Sequence, residues 1–194
     1  MKKILFSAGL ALLSTGVFAQ TKWNLDASHS NVRFTVSHLV ISEVEGSFRK
    51  FEGNIAHTKP DFTDAAINFT VDVNSINTDN EGRDKHLKGD DFFNAAQYPQ
   101  MTFKSTSFKK VSGNKYLLAG IMTIRNVSKP VTFDVTYGGT VKDPWGNTKA
   151  GFKAKGSVNR FDYGLKWNTM TEAGGAVVGK DIDIDLKLEF AQAK

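Results

Sequence analysis

The chain of 194 residues contains no cysteine, which excludes disulfides, thiolate metal sites and attachment of a lipid to an N-terminal cysteine. Proline is scarce, at four residues, and no stretch after the first twenty approaches the ~20 apolar residues that a membrane-spanning helix needs. Charge of one sign is also missing. The formal charge is +5, of which Lys2 and Lys3 supply two, and no basic run exceeds a pair such as Lys109-Lys110. A nucleic-acid binder gathers Lys and Arg on one face; here they are dispersed among Asp and Glu, so nucleic acid is not an expected partner. Histidines stand at 29, 38, 57 and 86 with no pair at the short spacing usual in zinc sites, and no metal site is expected. Neither a G-x-S-x-G elbow nor a glycine-rich phosphate loop occurs.

The one compact apolar run is at the start. Lys2 and Lys3 precede Ile4 to Leu13, and the segment ends in Val17-Phe18-Ala19. A charged stretch, an apolar stretch and a small-residue end form a secretory signal peptide cut after Ala19. Residues 1–19 are therefore expected to be removed, leaving residues 20–194 as one domain. The style of the leader points to the bacterial periplasm, with no stable membrane insertion.

Beyond the leader the chain is dominated by a period of two. Val32, Phe34 and Val36 alternate with Arg33, Thr35 and Ser37; Ile67, Phe69, Val71 and Val73 alternate with Asn68, Thr70 and Asp72; Ile182 to Phe190 repeats the pattern with Asp183, Asp185, Lys187 and Glu189 between. Successive side chains of a strand point to opposite faces, so these runs predict sheets with one apolar and one wet face. Strands are expected near 22–26, 31–38, 44–57, 65–76, 100–110, 115–125, 131–142, 149–159 and 180–191, separated by turn signals such as Ser112-Gly113-Asn114. Between Asn80 and Tyr98 the period changes, which predicts one or two short helices before Pro99. Asp162 to Gly179 reads as a long loop.

The absence of a βαβ rhythm leaves an all-β sandwich or barrel. In 116–124 both faces are fairly apolar, so one is expected to line an interior and the other to be covered by the helical insert. Glycines at 46, 53, 120, 138, 139, 151 and 156 fall in or beside strands, where they mark bulges and tight bends. These features favour an antiparallel barrel of about eight strands.

Three stretches resemble the YceI-like family of lipid-binding proteins. The first is Asp26-Ala27-Ser28-His29-Ser30 with Val32 to Leu39 and Val44-Glu45-Gly46-Ser47-Phe48. The second is Arg83-Asp84-Lys85-His86-Leu87-Lys88-Gly89-Asp90-Asp91-Phe92-Phe93-Asn94, continuing to Tyr98-Pro99-Gln100-Met101-Thr102-Phe103. The third is Leu118 to Val131 together with Asn159-Arg160-Phe161-Asp162-Tyr163-Gly164-Leu165. The resemblance spans nearly all of residues 20–194. It implies a lipocalin-like barrel, usually exported, that holds a polyisoprenoid or another long amphiphile, and a family with no established catalytic activity. One departure is Asn126, where a turn glycine is expected; Asn tolerates the left-handed conformation.

On both grounds the apolar cavity is expected to be lined by Val32, Phe34, Val36, Phe48, Ile67, Phe69, Val71, Met101, Phe103, Met122, Ile124, Phe133, Val135 and Phe152. His38, Arg83, His86, Lys88, Arg160 and Trp167 are candidates for its mouth. The expected ligand is a hydrophobic small molecule or lipid, an isoprenoid or quinone-like amphiphile, with no other cofactor, and the protein is a monomer or homodimer. Carrying one lipid and sequestering hydrophobic compounds under stress call for the same pocket. An enzyme acting on a lipid head group would have to draw on His38, Asp84 and His86. N-terminal sequencing of the exported protein is expected to begin at Gln20; an intact Met1 on cytoplasmic material would refute the leader.

Overall fold

The computed structural model describes residues 19–194, so the expected leader, Ala19 apart, lies outside the described residues. The alternating runs form β1 (Thr21–Leu25), β2 (Asn31–His38), β3 (Ser42–Phe48), β4 (Phe51–His57), β5 (Ala66–Asp72), β6 (Ile76–Asn77), β7 (Gln100–Ser112), β8 (Lys115–Ile124), β9 (Val127–Lys142), β10 (Thr148–Asn159) and β11 (Val178–Gln192). One α-helix, α1 (Glu81–Lys88), is capped by Asn80, whose side chain accepts the Arg83 N–H at 2.9 Å. The segments pair in the order β1-β4-β5-β7-β8-β9-β10-β11, and β1 returns to β11 to close an antiparallel ring. β2, β3 and β6 carry the wall upward on the same side, with β2 on β11, β3 on β2 and β6 on β3. The architecture is a closed eight-strand barrel in which β1 with β2, β3 with β4, and β5 with β6 are three strands broken in the middle.

At each break the inward-facing phase slips. Trp23 is buried before the first and Val32 and Val36 after it; Phe48 before the second and Ile55 and His57 after it; Val71 before the third and Ile76 after it. An unpaired stretch of backbone needs other partners. Ser75 Oγ accepts the N–H groups of Arg49 at 3.1 Å and Lys50 at 2.9 Å and donates to the Asp72 carbonyl at 2.6 Å, so the second and third breaks are clamped together.

The first break is held to β10 and β11 by charge. Lys149 Nζ lies 2.6 Å from Asp26 and 3.2 Å from Glu189, and the Ser28 hydroxyl donates to Asp26 at 2.6 Å. The Asp26 N–H donates to the Glu189 carbonyl at 2.8 Å. Asp26, His29 and Glu189 are near enough to offer three ligand atoms to a cation. The Lys149 ammonium already sits on both carboxylates.

Outside, the ladder is polar: Lys155 pairs with Asp185, Asp185 with Arg33, and Arg33 with Ser47. Inside it is apolar, the reverse of an outer-membrane barrel. No helix among the described residues is long and apolar enough to cross a membrane. The upper end carries the β2–β3 turn, α1 with its following segment, the β8–β9 turn and the 160–177 connection. The lower end carries loop 58–65 and the two tight turns after β7 and β9. The helical insert therefore caps an end and does not cover the outer face of β8, where Leu117 and Ile121 remain partly exposed. Asn126 adopts φ 61° beside Arg125 at 50°, so the turn forms without glycine, and Arg125 Nη1 donates to the carbonyls of Asp90, Phe92 and Gly164.

The ammonium of Lys149, with the Ser28 and His29 bonds, holds the Asp26 carboxyl far below the ordinary carboxylate range. A depressed folded value stabilises the fold above the unfolded Asp value of ~3.9, and that contribution is lost as pH falls through the folded one. Asp26→Asn is expected to cost roughly 1–3 kcal/mol at neutral pH in urea unfolding. The gap between parent and variant should narrow below pH ~4. Equal stability at neutral pH would show that the charge does not hold the break.

Candidate functional site

The lower end is sealed by aromatic rings. Loop 58–65 is pinned by Asp64, whose carboxylate accepts the N–H groups of Thr58 at 2.9 Å and Lys59 at 3.1 Å and the Thr58 hydroxyl; that hydroxyl is the main cause holding the carboxyl down at about 2. The loop drives Phe62, at φ 61°, into the barrel, where its ring centre lies 4.1 Å from that of His57 and 5.4 Å from that of Phe152. The Trp23 indole donates to His57 Nε2 at 2.8 Å, which leaves His57 Nδ1 to donate to the Lys59 carbonyl, also at 2.8 Å. Phe108 stacks on Tyr116 at 4.7 Å, and the Tyr116 hydroxyl donates to the Asp61 carbonyl at 3.0 Å.

Above this floor the barrel is hollow. A cavity of about 510 Å³ runs from Phe62, Phe108 and Phe152 to His38, Arg83 and Trp167. What keeps it open is a pairing of phenylalanine with glycine on the neighbouring strand. A Cβ on Gly46 would come within 2.6 Å of Phe34 Cε1, one on Gly53 within 2.7 Å of Phe69, one on Gly120 within 2.5 Å of Phe103 Cε2 and one on Gly156 within 2.7 Å of Phe133. Each ring lies over bare backbone and so against the wall. Of the glycines expected to mark bulges and bends, those at 46, 53 and 156 instead make room for rings, Gly120 does both, lying against Phe103 and facing the register shift between Ser105 and Ser107, and Gly138, Gly139 and Gly151 sit at the register shift between β9 and β10.

The mouth is polar and braced. Arg83 donates to Thr78 Oγ1 at 2.8 Å and to the Thr78 carbonyl at 2.7 Å, while Thr78 donates through its hydroxyl to Asp84 at 2.6 Å. His86 Nε2 lies 2.9 Å from Asp91, and its ring meets Phe92 and Trp167 edge-on. Arg160, 3% exposed, donates to the carbonyls of Gly179, Leu165, Trp167 and Val178 and lies over the Phe161 ring. Burial pushes its guanidinium down from the ordinary value. Arg160 thus positions the loop that carries Trp167. No Asp or Glu is among the residues that line the cavity; Arg33 borders it from the outward phase of β2, and the other ionisable residues along it are His38, Arg83, His86 and Arg160.

Every residue expected to face the lumen, from Val32 to Phe152, lines the cavity, as do His38, Arg83, His86, Arg160 and Trp167 at the mouth. Lys88 does not. A helix turns about 100° per residue, and α1 presents Gly82, Arg83, His86 and Leu87 to the void, which carries Lys88 past it. Several lining residues were missed. Ile182, Ile184, Leu186, Leu188 and Phe190 line it from β11, and their alternation was plain; Phe62, Phe92 and Phe93 come from irregular segments where no period marks an inward side. His38, Asp84 and His86 make no hydrogen bond to one another, since Asp84 is engaged by Thr78 and His86 by Asp91.

The family model described as YceI-like domain matches residues 23–190. Protein YceI of Escherichia coli O157:H7 is 36% identical over 191 residues, covering 98% of this chain and 94% of its own. Among solved structures, the Campylobacter jejuni YCEI protein superposes with a TM-score of 0.69 at 28% identity, covering 98% of this chain and 100% of its own. A polyisoprenoid binding domain from Saccharophagus degradans shares the fold, with a TM-score of 0.63 at 18% identity over 88% of this chain and 98% of its own.

Gly46→Ala should force the Phe34 ring off the wall and cost ~1–3 kcal/mol, the usual range for overpacking. Adding Phe34→Leu should recover part of that loss, read as coupling in a double-mutant cycle of urea unfolding. Additive effects would show that the ring and the glycine do not depend on each other.

Proposed function

The chain belongs to the YceI-like family, and on that premise we propose that it is an exported, non-enzymatic binding protein whose barrel holds the tail of a polyisoprenoid or similar long-chain amphiphile. The observation that carries this is the cavity itself: about 510 Å³, floored by aromatic rings and walled by aliphatic and phenylalanine side chains, with no carboxylate on its lining. Its volume falls in the range of ~300–1,000 Å³ typical of small-molecule sites. A fold neighbour is described as polyisoprenoid-binding; at its low identity that adds the fold alone, and the ligand class rests on the cavity.

The energetics favour the tail. Each buried methylene is worth ~0.8 kcal/mol, so several isoprene units outweigh the cost of ordering a flexible chain. An exposed ion pair at the mouth adds only ~0–1 kcal/mol. The polar groups of the mouth suit a head that stays near water, such as an alcohol, a quinone ring or a phosphate. His38, Asp84 and His86 are not linked by hydrogen bonds, so that trio forms no proton relay for head-group chemistry.

Titration with isoprenoid alcohols in detergent-free solution tests the proposal. Shortening geranylgeraniol to geraniol is expected to weaken binding by at least about a hundredfold. Met122→Trp, which fills part of the void, should abolish binding while costing less than the ~1–3 kcal/mol of ordinary overpacking. Equal affinity for long and short tails, or undiminished uptake by Met122→Trp, would overturn it. Free diphosphate competing as well as the full lipid would bring the head-group enzyme forward.

A further inference from the structure

We propose that the upper rim of the barrel docks on the surface of a lipid bilayer, with the β2–β3 turn inserted among the lipids and the mouth held against them. This rests on the binding function proposed above. The turn is Leu39-Val40-Ile41, with Val40 72% and Ile41 86% exposed, and Met170, 51% exposed, lies on the adjoining connection. The two segments are joined. The Leu39 N–H donates to the Val177 carbonyl at 2.9 Å, a Cβ on Gly175 would lie 3.1 Å from Val40 Cγ2, and Met170 bridges to Ala176. His38 and Val177, which flank these residues, line the cavity, so the exposed apolar surface is continuous with the interior.

The backbone of the turn points the same way. Leu39 and Val40 have φ of 53° and 66°, a region that L residues enter at a cost, β-branched ones above all. Asn or Gly would relieve that strain and is absent from all three positions. A strained turn that presents three large apolar side chains to water fits an occupant that takes them up.

The size of the patch identifies that occupant. A stable second copy needs ~1,200–2,000 Å² of buried surface. A three-residue turn with one neighbouring methionine falls far short of that, but it matches the shallow insertion by which peripheral proteins engage the interface. A ligand with a long apolar tail is itself dissolved in lipid, and docking the mouth there lets the tail cross without passing through water. The lower end also exposes a large apolar residue, Trp145 at 83%, but the aromatic floor separates it from the cavity. It serves as the internal control.

The absence of native cysteine allows a single label. An environment-sensitive fluorophore on Ile41→Cys should brighten several-fold and shift to the blue on adding vesicles of phosphatidylethanolamine and phosphatidylglycerol, whereas the same label on Trp145→Cys should not respond. Val40→Asn, which suits the left-handed turn and removes the apolar side chain, should weaken vesicle binding at least about tenfold. Its affinity for geranylgeraniol in vesicle-free solution should not change. No response at position 41, or an equal response at 145, overturns the docking. So does a label at 41 that is already shielded without vesicles in a particle of twice the mass, which would assign the turn to a second copy. The vesicle-free titration reads the cavity alone, so a failure there is distinguishable from a failure of docking.

Discussion

Closure of the sheet is the constraint on which the other features depend. β11 is the seam strand: its C-terminal part pairs with β1 and its N-terminal part with β2, while its other edge pairs with β10 from Asp181 to Ala191. For one straight strand to serve both, the first strand must break where it passes from one half to the other. The break leaves backbone groups without a ladder partner, and these are met one by one. Ser30 Oγ donates to the Asp26 carbonyl at 2.7 Å and accepts the Glu189 N–H at 3.0 Å, while Lys149 bridges the two carboxylates above them. Without that set the seam would open beside the cavity.

A closed sheet with an apolar inner face would normally fill itself. Here the rings that could fill it are laid on glycines, and the price of the resulting void is considerable. At ~24 cal/mol per Å³, an empty apolar space of about 510 Å³ would cost on the order of 10 kcal/mol, comparable with the whole stability of a domain. A sequence that places glycine under the rings of Phe34, Phe69, Phe103 and Phe133 forgoes that stabilisation for as long as the space is empty. Occupancy by an apolar ligand returns it, which couples binding to stability in the same contacts.

Much of this was written in the alternation. Period two marks which side chains face inward, and the inward side of β2, β5, β7 and β9 follows from it directly, whereas β8, apolar on both faces, needed its neighbours to choose one. The breaks were legible as well, though as a phase slip: the inward residues Val44, Gly46 and Phe48 are even-numbered, whereas Gly53, Ile55 and His57 are odd-numbered. A single strand over 44–57 cannot hold both phases on one face. Gly46, Gly53 and Gly156 were misread, while Gly120, Gly138, Gly139 and Gly151 do fall at register shifts, because a glycine in a strand has two physical uses, to bend the chain or to admit a neighbour, and only the residues on the neighbouring strand tell them apart. Lys88 was misassigned because proximity along the helix is not a shared face. The floor was the least legible, since Phe62 enters the barrel through a left-handed backbone conformation in a loop, a choice made by its packing against Trp23, His57 and Phe152.

The two ends of the barrel differ for a topological reason. In an up-and-down meander alternate connections fall at opposite ends, and here three of the four at the top have special roles: a strained turn, a helical insert and a long loop. Two of the three interstrand connections at the bottom are tight turns, and the remaining one carries the plug. Hydrogen bonds reinforce this asymmetry. The floor is held by Trp23, His57 and Tyr116 bonding to one another or to backbone, all buried. The mouth residue His86 instead meets an exposed Asp91, and Trp167 is carried on a loop tied down through Arg160. At the top, α1 and the 160–177 connection meet across a second apolar cluster, where Leu87 and Trp167 pack on Phe92, Tyr163 and Leu165, so the mouth is closed by side chains carried on an insert and a long loop, whereas the floor is closed by buried hydrogen bonds that tie rings to the barrel wall.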